Sequence, residues 1–311
     1  MFCRRVAESE LGQVVSLLRP DPVCWLDAAR FADELSAGRY RPEWIWIAER
    51  RGEPCALGVW WGRPGGTDPV VLDHLWVSER VPDRAAVAAD LVASAQRAFG
   101  ATPEYQLRLP TGWRGRTDAA VGLAWRQRAV ARAGLTEELE RLQYEWTPAD
   151  GLPAAGTRLV FRPEPDDGAF LDVFRRVAVG SLDTTSRRRV AALGAAAAAR
   201  EDLAFYGGAP ETRGWWRLAY TVGGALAGFG IPWRTPYGRN VGYLGVLPEL
   251  RGNGYIDEVL ADITRFHAAA GADRVTATTD LVNVPMRRAF ERGGYRNVEV
   301  RMVLSAPSPT P

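Results

Sequence analysis

The chain has 311 residues, 47% of them hydrophobic and 24% charged, the composition of a soluble globular protein long enough for two domains with full cores. A net charge of +2 argues against a nucleic-acid partner. Three cysteines (Cys3, Cys24, Cys55) without ligand spacing, beside only two histidines, argue against a disulfide framework or a metal site.

No apolar run reaches membrane-spanning length and residues 1–18 lack a signal-peptide pattern, so no membrane partner is expected and the expected location is the cytoplasm. In chain order, periodicity and turn residues predict a strand over 2–7 and helices over 8–18 and 24–37. Strands over 44–48 and 56–61 flank the hairpin signal Arg51-Gly52-Glu53-Pro54. A strand over 70–77, a helix over 84–99, a strand over 105–109, a helix over 119–133 stopped by Gly134, and a strand over 135–146 follow. A Pro-, Gly- and Ala-rich stretch, 148–157, reads as a linker.

The second part repeats this order. It has a strand over 158–162, helices over 169–179 and 186–200, and a hairpin of 215–222 with 225–233 around Gly223-Gly224. A strand over 241–247, a helix over 256–270, a strand over 275–279, a helix over 285–292 and a strand over 295–304 complete it. Residues 306–311 are expected to be a disordered tail. Arg128-Ala129-Val130-Ala131-Arg132-Ala133-Gly134-Leu135 aligns with Arg288-Ala289-Phe290-Glu291-Arg292-Gly293-Gly294-Tyr295, 160 residues later. Repeated order plus local identity at one offset predicts two related domains in tandem, 1–147 and 158–305.

The stretch that carries chemistry is Arg251-Gly252-Asn253-Gly254-Tyr255-Ile256, between a strand and a helix. Such a turn gathers unpaired backbone N–H groups at the positive end of a helix dipole, and glycines let it approach phosphate oxygens closely. A phosphate loop of the Gly-x-x-x-x-Gly-Lys type is excluded because the chain has no lysine. The Gly-x-Gly-x-x-Gly fingerprint fails at Asp257.

Arg251, Gly252 and Gly254 resemble the acyl-CoA pyrophosphate loop of the GCN5-related N-acetyltransferase (GNAT) family, with Ile256 where that family has Gly or Ala. Downstream, Asn283, Met286, Phe290, Gly294 and Tyr295 resemble its Asn-x-x-Ala-x-x-x-Tyr-x-x-x-Gly-Phe segment, over roughly 158–305 in all. The resemblance implies an α/β (α+β) fold of two tandem domains, each a mixed, mostly antiparallel sheet flanked by helices. It implies parallel neighbours around 241–247 and 275–279 that splay apart around a pantetheine arm. Main chain at Gly245, Val246 and Leu247 would hydrogen-bond that arm, an N–H near Val246 serving the thioester oxygen. Arg251, Gly252, Asn253, Gly254, Tyr255 and Ile256 would hold the pyrophosphate; Asn283 would either contact the donor or cap its helix.

The family's tyrosine acid is replaced by Phe290. Candidate bases are Asp183, Asp280 and Tyr243, with Asp183 and Asp280 also readable as helix caps; His267 is expected on a solvent-facing helix side. The first half has Pro82-Asp83-Arg84-Ala85 in place of the loop, so its domain is expected to be a degenerate scaffold or partner surface. Arg114, Arg116, Arg126, Arg128 and Arg132 there suggest a face for an acidic phosphopantetheinyl carrier. The implied activity is transfer of an acetyl-like group from acetyl-CoA or another acyl-CoA to an amine of a small-molecule acceptor, with no metal. The alternatives are a carrier-protein thioester donor, with an amine or a hydroxyl acceptor, in specialised metabolism, and a non-catalytic acyl-CoA sensor.

Overall fold

The order of elements expected from the sequence is present in a computed structural model, which describes residues 1–307. The first part runs β1 (Phe2–Arg5), α1 (Leu11–Leu17), α2 (Ala28–Ser36), β2 (Ile45–Arg50), β3 (Glu53–Trp61), β4 (Val71–Val77), α3 (Arg84–Phe99), β5 (Glu104–Pro110), α4 (Thr117–Arg132) and β6 (Glu137–Trp146). The second runs β7 (Leu159–Pro163), α5 (Asp167–Ala178), α6 (Thr184–Leu193), α7 (Ala195–Gly207), α8 (Pro210–Arg213), β8 (Arg217–Thr221), β9 (Leu226–Thr235), β10 (Gly238–Val246), α9 (Tyr255–Ala269), β11 (Val275–Asp280), α10 (Val284–Arg292) and β12 (Arg296–Ser305). Most of the expected disordered tail, from residue 308, lies outside the described residues.

The chain divides into one unit of Met1–Glu140 with Glu299–Pro307, and a second unit of Arg141–Val298. This differs from a cut at the linker. The closing strand of each sequence repeat is shared out: β6 from Arg141 pairs with β11, and β12 from Glu299 pairs with β5. Apolar alternation specifies which face of a strand is buried but not which of two similar sheets it joins, so the exchange leaves no mark in the sequence.

In the first unit β1, β2, β3 and β4 pair antiparallel in order, β4 and β5 are parallel, and residues 299–304 close the sheet on β5. Its core includes Val14, Phe31, Ile45, Leu57 and Val59. Asp83 caps α3, accepting from the Ala86 N–H at 3.0 Å, and Gly100 ends that helix at a φ of 66°.

In the second unit β7, β8, β9 and β10 are antiparallel in order, and β11 lies parallel to β10 and antiparallel to β6. Phe170, Phe174, Trp216, Phe229 and Leu247 are fully buried between this sheet and α5 and α7. The helix expected over 186–200 is two helices, because Gly194 breaks it at a φ of 81° and the alanine run restarts as α7.

His267 is not on a solvent face. It is completely buried, its Nε2 3.0 Å from the Asn240 carbonyl, and burial lowers its pKa to about 4, so it is a neutral donor.

Candidate functional site

The site grows out of a short parallel pairing. β10 and β11 are in register only at Arg239 with Val275 and Asn240 with Thr276. The Asn240 side chain donates to the Thr276 carbonyl at 2.9 Å, at the last paired position. Beyond it β10 carries a bulge at Gly242, where the register with β9 shifts between Val241 and Tyr243.

The ladder phase beyond the bulge decides which backbone groups are available. The Leu247 N–H donates to the Ala227 carbonyl at 2.9 Å, so the Leu247 N–H and the backbone groups of Gly245 and Tyr243 turn toward β9. Leu244 and Val246 therefore turn theirs toward the splay. Of the three main-chain positions expected to face a donor, Val246 turns its N–H toward the splay, while Gly245 is committed to β9 and Leu247 gives its N–H to β9 and its carbonyl to the Leu250 N–H. Leu244 is an addition that only the bulge and register reveal.

Two adjoining cavities follow the splay. One, of about 430 Å³, is lined by the apolar side chains of Leu182, Leu244, Val246, Ile256 and Met286 and ends at Gly252 and Gly254. Gly252 and Gly254 have φ of 81° and 72°, the left-handed region that favours glycine, and a Cβ at Gly252 would meet open space. Gly254 stands at the cap position of α9 without a side-chain cap, and Tyr255 and Ile256, as first helical residues, present N–H groups without intrahelical acceptors.

Arg251 does not offer its charge to this cradle. Its guanidinium donates to the carbonyls of Val177 (2.8 Å), Gly180 (2.9 Å), Val179 (3.2 Å) and Val246 (3.1 Å). It fastens the end of α5 to the turn, so its role is to shape the loop. Asn253 likewise donates to Leu250 and Arg251 carbonyls within the turn. The cation at the rim is one that sequence reasoning missed. Arg158 donates to the Asn253 carbonyl at 2.7 Å, pairs with Glu258, and lies over the Tyr255 ring while half exposed. It opens a strand with no spacing signal of its own. Asn283 borders both cavities and caps α10, its Oδ1 3.4 Å from the Met286 nitrogen.

The second cavity, about 250 Å³, lies where the strands have parted; Arg141, Asp183, Arg189, Asp202, Tyr206 and Tyr243 line it, with Phe290. Asp280 does not. It is wholly buried, accepts the Thr184 N–H at 2.6 Å and sits 3.1 Å from Arg141 Nε, so it anchors α6 and cannot meet a substrate proton. Tyr243 packs against Phe174, Phe229 and Tyr206, and burial with acidic neighbours pushes its phenol pKa up. A phenol held protonated is no base. Asp183 remains at the cavity: one oxygen caps Ser186 at 2.8 Å and the other is 3.6 Å from Arg141. Asp202, also missed, pairs with Arg189, and burial raises its pKa. The two sit on different helices, and nothing in the sequence joins them.

The same backbone device recurs in the first unit, with its space filled. β4 pairs with β5 only at Val71 with Glu104 and Leu72 with Tyr105, and Asp73 is its bulge residue. The Ser78 N–H donates to the Cys55 carbonyl at 2.9 Å as Leu247 does to Ala227, so Leu75 matches Leu244. Here the Leu75 carbonyl accepts from Arg126 at 3.0 and 3.2 Å. Arg126, which aligns with Met286, is buried and paired to Asp21 at 2.5 Å. Beside it Asp73 accepts from Tyr40 and Trp25, and Cys24 lies 2.7 Å from His74. The arginine face expected on α4 is correspondingly reduced: Arg126 is inside, Arg114 pairs with Glu140, Arg116 with Asp118 and Arg132 with Asp83.

Among the described residues no group of His, Cys, Asp and Glu is placed to hold a metal ion, and no helix is long and apolar enough to cross a membrane. No family model and no curated protein matches the chain. Solved structures do. A GCN5-related N-acetyltransferase from Sphaerobacter thermophilus superposes with a TM-score of 0.60 at 14% identity, over 97% of this chain and 94% of that one. A GCN5-related glucosamine N-acetyltransferase region of a fungal multi-domain beta-N-acetylglucosaminidase gives 0.52 at 12% identity, over 97% of this chain and 38% of that one. A tandem GNAT protein from the clavulanic acid biosynthesis pathway gives 0.49 at 16% identity over the whole of both chains. What these identities establish is the fold: mixed, mostly antiparallel sheets flanked by helices, as in the GNAT acetyltransferases.

Proposed function

We propose that this chain, which has the GNAT fold, transfers an acyl group from a CoA thioester to the amine of a small molecule, in the second unit and by direct attack in a ternary complex. The observation that carries the reading is the continuity of the splay. Backbone groups of Leu244 and the Val246 N–H, turned away from β9, lead through an apolar groove to the glycine turn and the start of α9. An acyl-CoA supplies the activated carbonyl and leaves as a thiol.

The residues present fit such a donor. The turn at Gly252 and Gly254 offers N–H groups and a helix dipole to phosphate oxygens, and Arg158 adds a cation at the rim. The groove walls exclude water from a pantetheine arm, which the edge of β10 can hydrogen-bond as an added strand. The Val246 or Leu244 N–H meets the negative charge that develops on the carbonyl oxygen.

Asp183 and Asp202 serve the acceptor side. A primary ammonium gives up one proton there, the C–N bond forms and the C–S bond breaks, and of the two protons left on nitrogen one stays on the amide and the other ends on the departing sulfur. Phe290 offers no acid, but a thiol of ordinary pKa, roughly 8.5, leaves without one. The first unit, with its cleft filled, acts as scaffold.

Calorimetric titration with acetyl-CoA, CoA and 4′-phosphopantetheine tests this. Micromolar binding of acetyl-CoA, weakened at least about tenfold by removing the adenosine diphosphate portion (about 1.4 kcal/mol), is expected. Indifference to that portion would move the reading to a carrier-bound donor, and no binding of any of the three would leave a module without this chemistry.

A further inference from the structure

The charge balance of the second cavity speaks to what enters it, given the acyl-transfer reading above. Two guanidiniums line it, and each is already answered from outside the cavity. Arg141 lies 3.1 Å from Asp280, which is completely buried and is not part of the lining. Arg189 lies 3.5 Å from Glu201 as well as pairing with Asp202. Asp183 and Asp202 are therefore carboxylates in excess of the cations they face.

Neither of the two is closed off. Asp183 spends one oxygen on the Ser186 cap and keeps only a long 3.6 Å contact from the other to Arg141. Asp202 lines the cavity while pairing with Arg189; burial draws it toward its neutral form against that guanidinium, and the nearby Asp183 and Glu201 charges add to the burial effect. The phenols of Tyr206 and Tyr243 are both held protonated by burial, and the Tyr206 hydroxyl donates to the Gly242 carbonyl at 2.9 Å, so neither contributes charge of its own.

We propose that the acceptor is a compact monocationic amine without a carboxylate or phosphate, and that Asp183 and Asp202 set this preference. An incoming ammonium completes the balance, whereas an amino acid would bring a second anion to a cavity whose arginines are already paired. The cavity volume of about 250 Å³ suits a small amine.

The test compares matched pairs with acetyl-CoA and the full-length protein: phenethylamine with L-phenylalanine, tyramine with L-tyrosine, and isoamylamine with L-leucine, by thiol release. The amine of each pair turned over should exceed its amino acid at least about tenfold in kcat/KM, about 1.4 kcal/mol. Asp202→Asn should shrink that ratio about tenfold or invert it by removing one of the two carboxylates that answer the ammonium. Asp183→Asn, which keeps the helix cap, should shrink it less. A merely structural role would lower both members of a pair together.

Equal or reversed ratios in the unaltered protein, ratios unmoved by both substitutions, or donor binding without turnover of any pair would overturn the proposal. Failure to bind acetyl-CoA at all would instead remove the acyl-transfer reading beneath it.

Discussion

Replacing Arg126 by methionine, the residue at the aligned position of the second unit, tests whether the first cleft is held shut by one side chain. The Arg126 side chain is 1% exposed. It donates to the Leu75 carbonyl at 3.0 and 3.2 Å, to the Gly122 carbonyl at 3.0 Å and to Asp21 at 2.5 Å. Methionine occupies part of the volume but leaves Leu75 without a donor and Asp21 without its cation. A buried carbonyl left unpaired costs about 1–3 kcal/mol, and breaking one partner out of a buried ion pair about 3–5 kcal/mol.

The two overlap, and Asp21 is 16% exposed, so a loss of about 3 kcal/mol is expected. Hydrogen exchange read by mass spectrometry on the full chain resolves it by peptide. Opening free energies of β4 and α4 should fall by about that amount while β10 and α9 stay unchanged. Adding Asp21→Asn should recover part of the loss, since asparagine still accepts from the Val23 N–H. A loss below about 1 kcal/mol, or one that spreads equally to β10 and α9, would refute the reasoning.

The remaining predictions concern the second unit. Gly254→Val places a β-branched residue at a φ of 72° in the cradle and should cut acetyl-CoA affinity by more than about tenfold in a protein with unchanged far-ultraviolet circular dichroism; unchanged affinity would remove the loop from the mechanism. His267, with its folded pKa lowered to about 4, takes up its proton earlier in the unfolded chain. Its contribution is thus present above pH ~6.5 and is lost as pH falls toward 4, roughly 3 kcal/mol in all; urea midpoints across that window should show the decline, and His267→Asn should flatten it. Gly228→Ala sets a Cβ 2.1 Å from the Gly245 carbonyl oxygen and should push β9 from β10 at the groove, lowering stability by about 1–3 kcal/mol; an unaltered thermal midpoint would refute the close approach.

The glycine turn was legible in the sequence because positive φ demands a residue type, and Gly252 and Gly254 supply it. The parallel neighbours followed from the resemblance that the turn and Asn283 carried. What stayed hidden depends on distance in three dimensions. Arg251 reads as a phosphate contact until the carbonyls of Val177, Val179 and Gly180 are seen around it. Asp280 at a strand end looks like an exposed cap, and only the packing of α6 buries it. His267 has polar and apolar neighbours along α9 that leave its face ambiguous, and Arg126 looked like one more surface arginine because a buried guanidinium is recognised only by its partners. The pairing of Arg189 with Asp202 spans two helices and has no spacing to betray it.

The two units separate what the fold imposes from what the chemistry needs. Each has a bulge in its fourth strand, at Asp73 and at Gly242, and each lets the following parallel neighbour diverge after two register pairs. That geometry turns backbone groups at Leu75 and Leu244 away from their antiparallel partner, and such groups must find a partner somewhere. In the first unit a guanidinium supplies it permanently, and an aspartate, Asp83, takes the head of the following helix that an anion would need. In the second unit methionine stands where the guanidinium would be and glycine where the aspartate would be, so the same groups open onto a cavity. Closing one cleft required a cation and its counterion, and keeping the other open required only that neither be present. A binding groove is therefore the default of this strand geometry, and the filled cleft is the specialised state.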